Sequence, residues 1–191
     1  MAQVQASKPQ VECGQGLYDF IIPKLYKAKE AYIISPWLSP ETARLIISLV
    51  NHGTKVHLIT TSDTSNRSHT SAMRLLGTSQ DTRGAVLGTG ILLIIISITL
   101  TALSPLALIL LAPGAWLIYR GSRGGSRRVH PNLTIRVVNN LHAKVIIIPE
   151  NGLVGIGSAN LTSHGLHSNL ECWAWVRDSE LASRLLKSFQ A

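Results

Sequence analysis

The sequence predicts an α/β fold with a mixed sheet, interrupted by a two-span hydrophobic hairpin. Two observations support this prediction. Short β-branched runs alternate with amphipathic runs on both sides of a long apolar segment. That segment, residues 84–119, contains no Asp, Glu, Lys or Arg. We therefore expect residues 1–83 and 120–191 to be the two halves of one domain, with residues 84–119 as a membrane hairpin between them.

The N-terminal half predicts alternating helices and strands. Apolar residues spaced by three and four over residues 17–28 indicate an amphipathic helix. Ser39, Pro40 and Glu41 are typical of a helix start, because the serine can cap, the proline fits the first turn and the acid favours the positive dipole end. This second helix should end at Gly53. We also expect strands at 31–35 and 56–60 and a short helix at 72–76.

The C-terminal half predicts strands at 133–138, 144–148 and 169–176 and a closing helix at 181–189. The second of these strands is rich in β-branched residues, and the other two alternate apolar with polar residues. Strands from both halves must join in one sheet. The ends of the apolar insert must then lie on the same side of a membrane, which requires an even number of spans.

The length of the insert agrees with two spans. Two helices of about 27 Å each approach the ~30 Å of a hydrocarbon core, and Ser104-Pro105 marks the turn between them. Arginines near both ends place both ends in the cytoplasm. We expect an integral protein of the cell membrane, in contact with membrane lipid and with its soluble domain on the cytoplasmic side. Gly84 and Gly88 have the spacing of a contact that could pair two hairpins.

The positive charge is concentrated beside the insert. The formal net charge is +8, and setting aside five arginines leaves +3 for the rest of the chain. This remainder favours a mildly basic, solvated surface over a dedicated polyanion track. The five flanking arginines are Arg83, Arg120, Arg123, Arg127 and Arg128.

The two cysteines predict neither a metal cage nor a disulfide. Cys13 and Cys172 lie far apart in the sequence, and neither has a CxxC partner. A reduced, cytoplasmic setting is therefore the expectation, with no metal.

One stretch of the C-terminal half carries side chains suited to phosphoryl chemistry. His142 and Lys144 are two residues apart, so both point to one face of an extended segment, and Ser158 and Asn160 repeat that spacing. Glu171 completes the set. An imidazole can attack phosphorus, the ammonium offsets anionic oxygens, the hydroxyl and amide donate hydrogen bonds, and the carboxylate orients the ring.

This pattern resembles the HxK…GSxN motif of the phospholipase D superfamily. The likeness extends to residues 161–162, Gly165, Asn169 and Glu171, and to residues 35–39 in the N-terminal half. It covers nearly all of the chain outside the insert. The resemblance implies a phospholipase D-like α/β sandwich that works without a metal or another cofactor.

The resemblance also implies residue roles. His142 would be the nucleophile that forms a phosphohistidine intermediate. Lys144, Ser158 and Asn160 would hold the phosphate, and Glu171 would orient the histidine. One position departs from the family pattern: Pro149 stands where an Asp usually follows the motif, and Glu150 comes one residue later, so the turn should be one residue longer.

The family chemistry needs two histidines, whereas this chain contains one motif. The other six histidines belong to no second HxK; they are residues 52, 57, 69, 130, 164 and 167. A homodimer that pools two copies of His142 is the economical solution. His164, His167 and Asn169, close to the motif in sequence, are accessory candidates.

Three functions follow from these observations. The first is a membrane-anchored phosphodiesterase that hydrolyses or transfers a phosphodiester of phospholipid head groups. The second is a membrane-tethered nuclease with the same active site. The third is an inactive membrane scaffold, against which the complete set of His, Lys, Ser, Asn and Glu argues.

Overall fold

The computed structural model describes residues 8–77, 83–100, 109, 111–123 and 130–190. They divide into two compact units. One holds the described residues within Met1–Thr78 and Val129–Ala191, and the other holds those within Ser79–Arg128. The first unit contains one seven-stranded sheet. Its strands are β1 (Gln10–Gly14), β2 (Glu30–Ile34), β3 (Lys55–Thr61), β4 (Leu133–Val138), β5 (Val145–Ile148), β6 (Leu153–Gly157) and β7 (Glu171–Arg177).

The sheet is mixed, as the sequence predicts. The strand order is β1-β7-β6-β5-β2-β3-β4. The pairs β2–β3 and β3–β4 are parallel, and all other pairs are antiparallel. Ile33 of β2 lies opposite Ile146 of β5, so the two halves of the sequence join at the centre of one sheet.

Helices and apolar side chains cover both faces of this sheet. The helices of the first unit are α1 (Tyr18–Tyr26), α2 (Pro40–Asn51), α3 (Arg67–Leu76), α6 (Ser163–His167) and α7 (Ser179–Gln190). Residues of α1, α2 and α3 join a core cluster that includes Trp173 and Trp175. A second cluster packs α7 against residues such as Ile34 and Ile147. The result is the α/β fold with a mixed sheet that the sequence predicts.

Local sequence explains where α2 and α3 begin. Ser39 accepts a hydrogen bond from the Thr42 N–H, and the Thr42 hydroxyl oxygen accepts one from the Ser39 N–H, which forms a capping box. The third helix is longer than predicted, because the Asn66 side chain caps it and it therefore starts at Arg67. The strands β1 and β6 and the short helix α6 were not predicted.

The prediction that the cysteines stay unpaired is wrong. Cys13 and Cys172 form a disulfide. They lie directly opposite each other in the antiparallel pair of β1 and β7, although 159 residues separate them in the sequence. Because β1 is too short and polar to be predicted, the pairing had no sequence signal. Disulfides persist mainly in oxidising compartments, so the cysteines no longer support a reduced cytoplasmic setting.

The second unit contains α4 (Arg83–Leu100) and α5 (Leu111–Arg123). Among the described residues, no helix is both long and apolar enough to cross a membrane. The predicted two-span hairpin is therefore not supported. The helix α4 has 18 residues including Arg83, and α5 has 13, whereas a span needs about 20 apolar residues. The predicted turn at Ser104-Pro105 lies outside the described residues.

A close contact between α4 and α5 within this unit involves Gly90 and Gly114. A Cβ atom placed on Gly90 would lie 2.8 Å from Ile118 Cγ1, and one on Gly114 would lie 2.8 Å from Ile94 Cγ1. These two glycines therefore allow α4 and α5 to approach each other. Around Gly88 a Cβ atom would meet nothing within 4 Å, so this glycine is not used between α4 and α5. Pairing of two hairpins through Gly84 and Gly88 stays a prediction.

Candidate active site

The sheet topology brings the predicted catalytic residues to one edge of the sheet. His142 and Lys144 immediately precede β5, Ser158 and Asn160 follow β6, and Glu171 is the first residue of β7. Because β5, β6 and β7 are antiparallel neighbours, the start of β5, the end of β6 and the start of β7 meet. Backbone hydrogen bonds join these ends: Gly157 N donates to Lys144 O at 3.3 Å, and Ser158 N to Cys172 O at 3.0 Å.

The ammonium of Lys144 lies beside the imidazole of His142. Lys144 Nζ donates to the His142 carbonyl oxygen at 2.8 Å, and it lies 3.4 Å from Nδ1 and 3.5 Å from Nε2 of the ring. His142 is exposed and Lys144 is half-buried. The pair therefore presents a nucleophilic nitrogen and a positive charge to the same approaching group, which suits a phosphate ester.

The carboxylate of Glu171 holds two neighbouring polar side chains. The Ser158 hydroxyl donates to Glu171 Oε2, and Asn169 Nδ2 donates to Glu171 Oε1 at 3.2 Å. Ser158 Oγ also accepts a hydrogen bond from Cys172 N at 3.1 Å. In the described part of the chain, no hydrogen bond joins Glu171 to His142, so the role of Glu171 in orienting the ring stays a prediction. What the structure brings together is Ser158, Asn169 and Glu171.

The side chain of Asn160 has an unused polar atom. Its Oδ1 is buried and has no hydrogen-bond partner among the described residues. A buried polar atom without a partner is costly, and such atoms are commonly satisfied by a water molecule or a ligand. This oxygen is thus available to accept a hydrogen bond from a group that enters the site between β6 and α6.

A loop from the N-terminal half fixes the loop that carries Asn160. The Ser35 hydroxyl oxygen accepts a hydrogen bond from Leu161 N at 2.9 Å, and Thr42 Oγ1 donates to Leu161 O at 2.6 Å. Ser39 Oγ accepts from Ser163 N at 3.1 Å. These contacts tie Ser35, Ser39 and Thr42 to the loop that carries Asn160.

We expect Ser35→Ala to lower the catalytic rate and to destabilise the fold by about 1–3 kcal/mol, because the buried Leu161 N–H loses its acceptor. Chemical denaturation and a turnover assay measure the two effects. Ser183→Ala removes a hydroxyl on an exposed helical turn and should change stability by less than about 0.5 kcal/mol. Equal stability and equal turnover of the two variants would contradict the role of Ser35 in positioning the loop that carries Asn160.

A buried histidine supports the loop of residues 35–39. His69 Nδ1 accepts from Leu38 N at 3.2 Å, and Nε2 lies 3.2 Å from Thr61 O, to which its N–H donates. Burial lowers the pKa of His69, while the hydrogen bond to Thr61 and the charge of Asp63 act in the opposite direction. The neutral ring therefore fits this position. This residue was not singled out from the sequence as part of the site.

The stability of the protein should fall as the pH falls below about 6.5, the ordinary histidine value. Below that value the unfolded chain takes up a proton that folded His69 resists, so protonation favours unfolding. Thermal unfolding at pH 7.5 and 5.5 measures this loss. His69→Gln should lose less stability over the same interval than the wild-type chain does. An equal loss in both would contradict the argument.

The accessory histidines lie on α6 and have partners of their own. His167 Nε2 lies 3.4 Å from Glu41 Oε1, and its ring stacks on Tyr18 with 5.0 Å between centroids. His164 Nδ1 lies 3.1 Å from Ser168 Oγ. No described hydrogen bond or ring contact joins either histidine to His142.

The departure at Pro149 is accommodated by a short 3₁₀ turn, Pro149–Asn151. Glu150 Oε1 accepts a hydrogen bond from Lys29 N at 2.6 Å. The carboxylate one position later in the sequence therefore ties the turn after β5 to the start of β2. The described residues contain no group of three or more His, Cys, Asp or Glu side chains that could hold a metal ion. Metal independence stays a prediction.

Comparison with known proteins shows the family. The family model described as "Cardiolipin synthase, PLD-like domain" matches residues 21–191. NucT from Helicobacter pylori has a similar structure, with a TM-score of 0.59 and 17% identity over 96% of this chain and 93% of that one. Nuc from Salmonella typhimurium, a phospholipase D family member, gives 0.56 and 15% over the same shares.

A third similar structure belongs to a longer protein, of which this chain covers only a part. Phosphatidylserine synthase from Haemophilus influenzae matches with a TM-score of 0.50 and 12% identity over 97% of this chain and 38% of that one. Among curated proteins, no sequence match to this chain is found. At these identities the structural likeness concerns the fold, and the family match rests on the sequence. The chain belongs to the PLD-like domain family of the phospholipase D superfamily.

Proposed function

We propose that this protein is a phosphodiesterase that acts through a phosphohistidine on His142. The observation that carries the proposal is the juxtaposition of His142 and Lys144 with the hydrogen-bonded group of Ser158, Asn169 and Glu171 at one sheet edge. Membership of the PLD-like domain family supports the same chemistry. An inactive scaffold would have no need of this complete set.

The reaction proceeds in two displacements. An imidazole nitrogen of His142 attacks phosphorus, a P–N bond forms, and the P–O bond to the leaving alkoxide breaks with its electron pair on that oxygen. A second imidazolium gives the alkoxide its proton. Water, or an alcohol in a transfer reaction, then attacks phosphorus, gives its proton to the second imidazole and breaks the P–N bond. Lys144 and the Asn160 amide N–H hold the phosphate oxygens throughout, and Ser158 can join them once its hydroxyl turns from Glu171 to the phosphate.

The second imidazole would come from another copy of the chain. Within the described residues, neither His164 nor His167 has a contact with His142, and each has a partner of its own. A twofold homodimer that places two copies of His142 on opposite sides of the phosphorus supplies the general acid. The exposed position of His142 permits such an approach.

Phospholipid head groups are the substrates we favour. Four apolar side chains of α4 are 50–61% exposed and would contact lipid; they belong to Ile91, Leu92, Ile95 and Ile98. Contact with lipid would concentrate the enzyme near such substrates. Flotation with phosphatidylcholine vesicles tests this contact, and Ile91→Ser with Ile95→Ser should weaken it. Equal flotation of the variant would count against lipid contact through α4.

A direct comparison of substrates tests the function. The purified chain is assayed on head-group-labelled phospholipid in vesicles and on single-stranded DNA and RNA of mixed sequence. Faster cleavage of phospholipid supports the proposal, and cleavage of nucleic acid alone identifies a nuclease with the same active site. Loss of activity upon chelation of divalent ions would contradict the two-histidine scheme.

A further inference from the structure

A cavity lies at the opposite end of the strands from the candidate active site. Its volume is about 390 Å³, and it is lined in part by Gln10 at the start of β1, Leu153 at the start of β6 and Arg177 at the end of β7. The catalytic residues adjoin the other ends of β6 and β7. At about 3.3 Å per residue, the backbone of β7 places Glu171 about 20 Å from Arg177. The cavity is therefore separate from the active site.

The lining of this cavity is strongly basic. Lys8, Lys24, Lys27 and Arg177 line it, and its described lining includes no carboxylate. Among the described residues, none of these four cations forms an ion pair. Four positive charges gathered around one concavity repel each other, and an anion inside it would relieve that repulsion.

The ammonium of Lys24 is held in place inside this lining. Its Nζ donates to Phe20 O at 3.1 Å and lies 4.6 Å from the centre of the Phe20 ring and 5.2 Å from that of Trp175. Burial lowers the pKa of Lys24, the charge of nearby Glu12 opposes this, and the charge of Lys27 adds to it. One hydrogen bond uses one of three ammonium donors, so two remain for a ligand.

The uncharged lining of the cavity offers hydrogen-bond donors and an apolar wall to a small phosphorylated molecule. The amides of Gln10 and Asn151 can donate hydrogen bonds, and Ile148 and Trp175 form an apolar part of the wall. The volume lies within the range of about 300–1,000 Å³ typical of small-molecule sites. It is larger than a single phosphate requires, so there is room for a part of the ligand beyond the phosphate.

We propose that this cavity is a second binding site that takes the phosphate group of a small phosphorylated ligand. Lys24, Lys27 and Arg177 would bind its oxygens, and the apolar wall would contact the rest of the ligand. Two sources carry this chemistry, a soluble phosphorylated metabolite and the head group of an anionic phospholipid. The site does not depend on catalysis at His142.

Calorimetric titration with inorganic pyrophosphate tests the site. The Lys144→Ala chain serves as the starting protein, because it lacks the main phosphate-binding cation of the active site. We expect it to bind pyrophosphate, and Lys24→Gln with Lys27→Gln in this background should weaken binding at least about tenfold, the effect of losing charge-assisted hydrogen bonds. Arg177→Gln should also weaken pyrophosphate binding.

The matched control changes the same net charge elsewhere. Arg67→Gln with Lys187→Gln removes two exposed cations, on α3 and α7, that do not line the cavity, and it should leave the affinity within about twofold, since distant surface charges are screened. Absence of pyrophosphate binding in the Lys144→Ala chain would overturn the proposal. So would equal weakening in the control.

Vesicles distinguish the two sources. If vesicles of phosphatidylglycerol, but not of phosphatidylcholine, displace pyrophosphate from the Lys144→Ala chain, the site takes a lipid head group. If neither displaces it, the site takes a soluble ligand. Both results support the site. Because pyrophosphate binding is measured without turnover, the failure of this proposal and that of the proposed function remain distinguishable.

Discussion

His142→Ala should reduce phosphodiester cleavage by roughly 10⁴-fold or more, the order of loss that follows removal of an attacking nucleophile. Without the imidazole no P–N bond can form, and water must attack phosphorus directly. The measurement is single-turnover cleavage of a substrate labelled on its phosphate. Wild-type protein quenched in alkaline denaturant should retain label on the chain, and the variant should retain none.

Two controls make this result specific. His142 is exposed, so its replacement should leave the thermal unfolding temperature nearly unchanged, which separates loss of chemistry from loss of fold. His52→Ala should keep nearly full activity, because His52 lies at the end of α2, where its ring contacts Ser48 O. Full activity of His142→Ala would remove the centre of the proposed mechanism.

Mixing active and inactive chains should reduce activity more than dilution does. If two copies of His142 form one site, the active fraction follows the square of the wild-type fraction. An equal mixture should then retain about a quarter of the activity instead of about a half. The physical reason is that a mixed dimer keeps either the nucleophile or the general acid, and loss of the acid alone costs about 10²–10⁴-fold.

The experiment needs subunits that exchange freely and a variant that still assembles. Exchange is checked by mixing chains that carry different affinity tags and isolating the doubly tagged species. Linear dilution in a freely exchanging mixture, or an active monomer in dilute solution, would show that one chain is sufficient. His164→Ala and His167→Ala would then identify the acid within the chain.

Much of the site was predictable because its residues lie close together in the sequence. His142 and Lys144 share a face through their spacing, and Ser158, Asn160 and Glu171 follow within one stretch of the C-terminal half. The capping residues of α2 and the apolar periodicity of the larger elements are equally local. Local rules sufficed for the α/β class and for the list of candidate residues.

The contacts between distant parts of the chain were not predictable in the same way. The pairing of β1 with β7 places Cys13 opposite Cys172, and no local signal marked β1 as a strand. The hydrogen bond from Leu161 N to Ser35 Oγ and the position of His69 depend on how the two halves pack. The apolar count of residues 84–119 likewise predicted longer helices than α4 and α5, the two that the described residues form there.

The sequence by itself determined the alternation of helices and strands and the chemical set of His142, Lys144, Ser158, Asn160 and Glu171, because spacing and residue type express both. Only the tertiary structure decided which groups those side chains contact. It directed Glu171 to Ser158 and Asn169, paired the cysteines, and gathered four cations around the cavity at the opposite end of the strands. The physical reason is that sheet order and strand register depend on packing free energy summed over the whole core, which no short stretch of sequence contains.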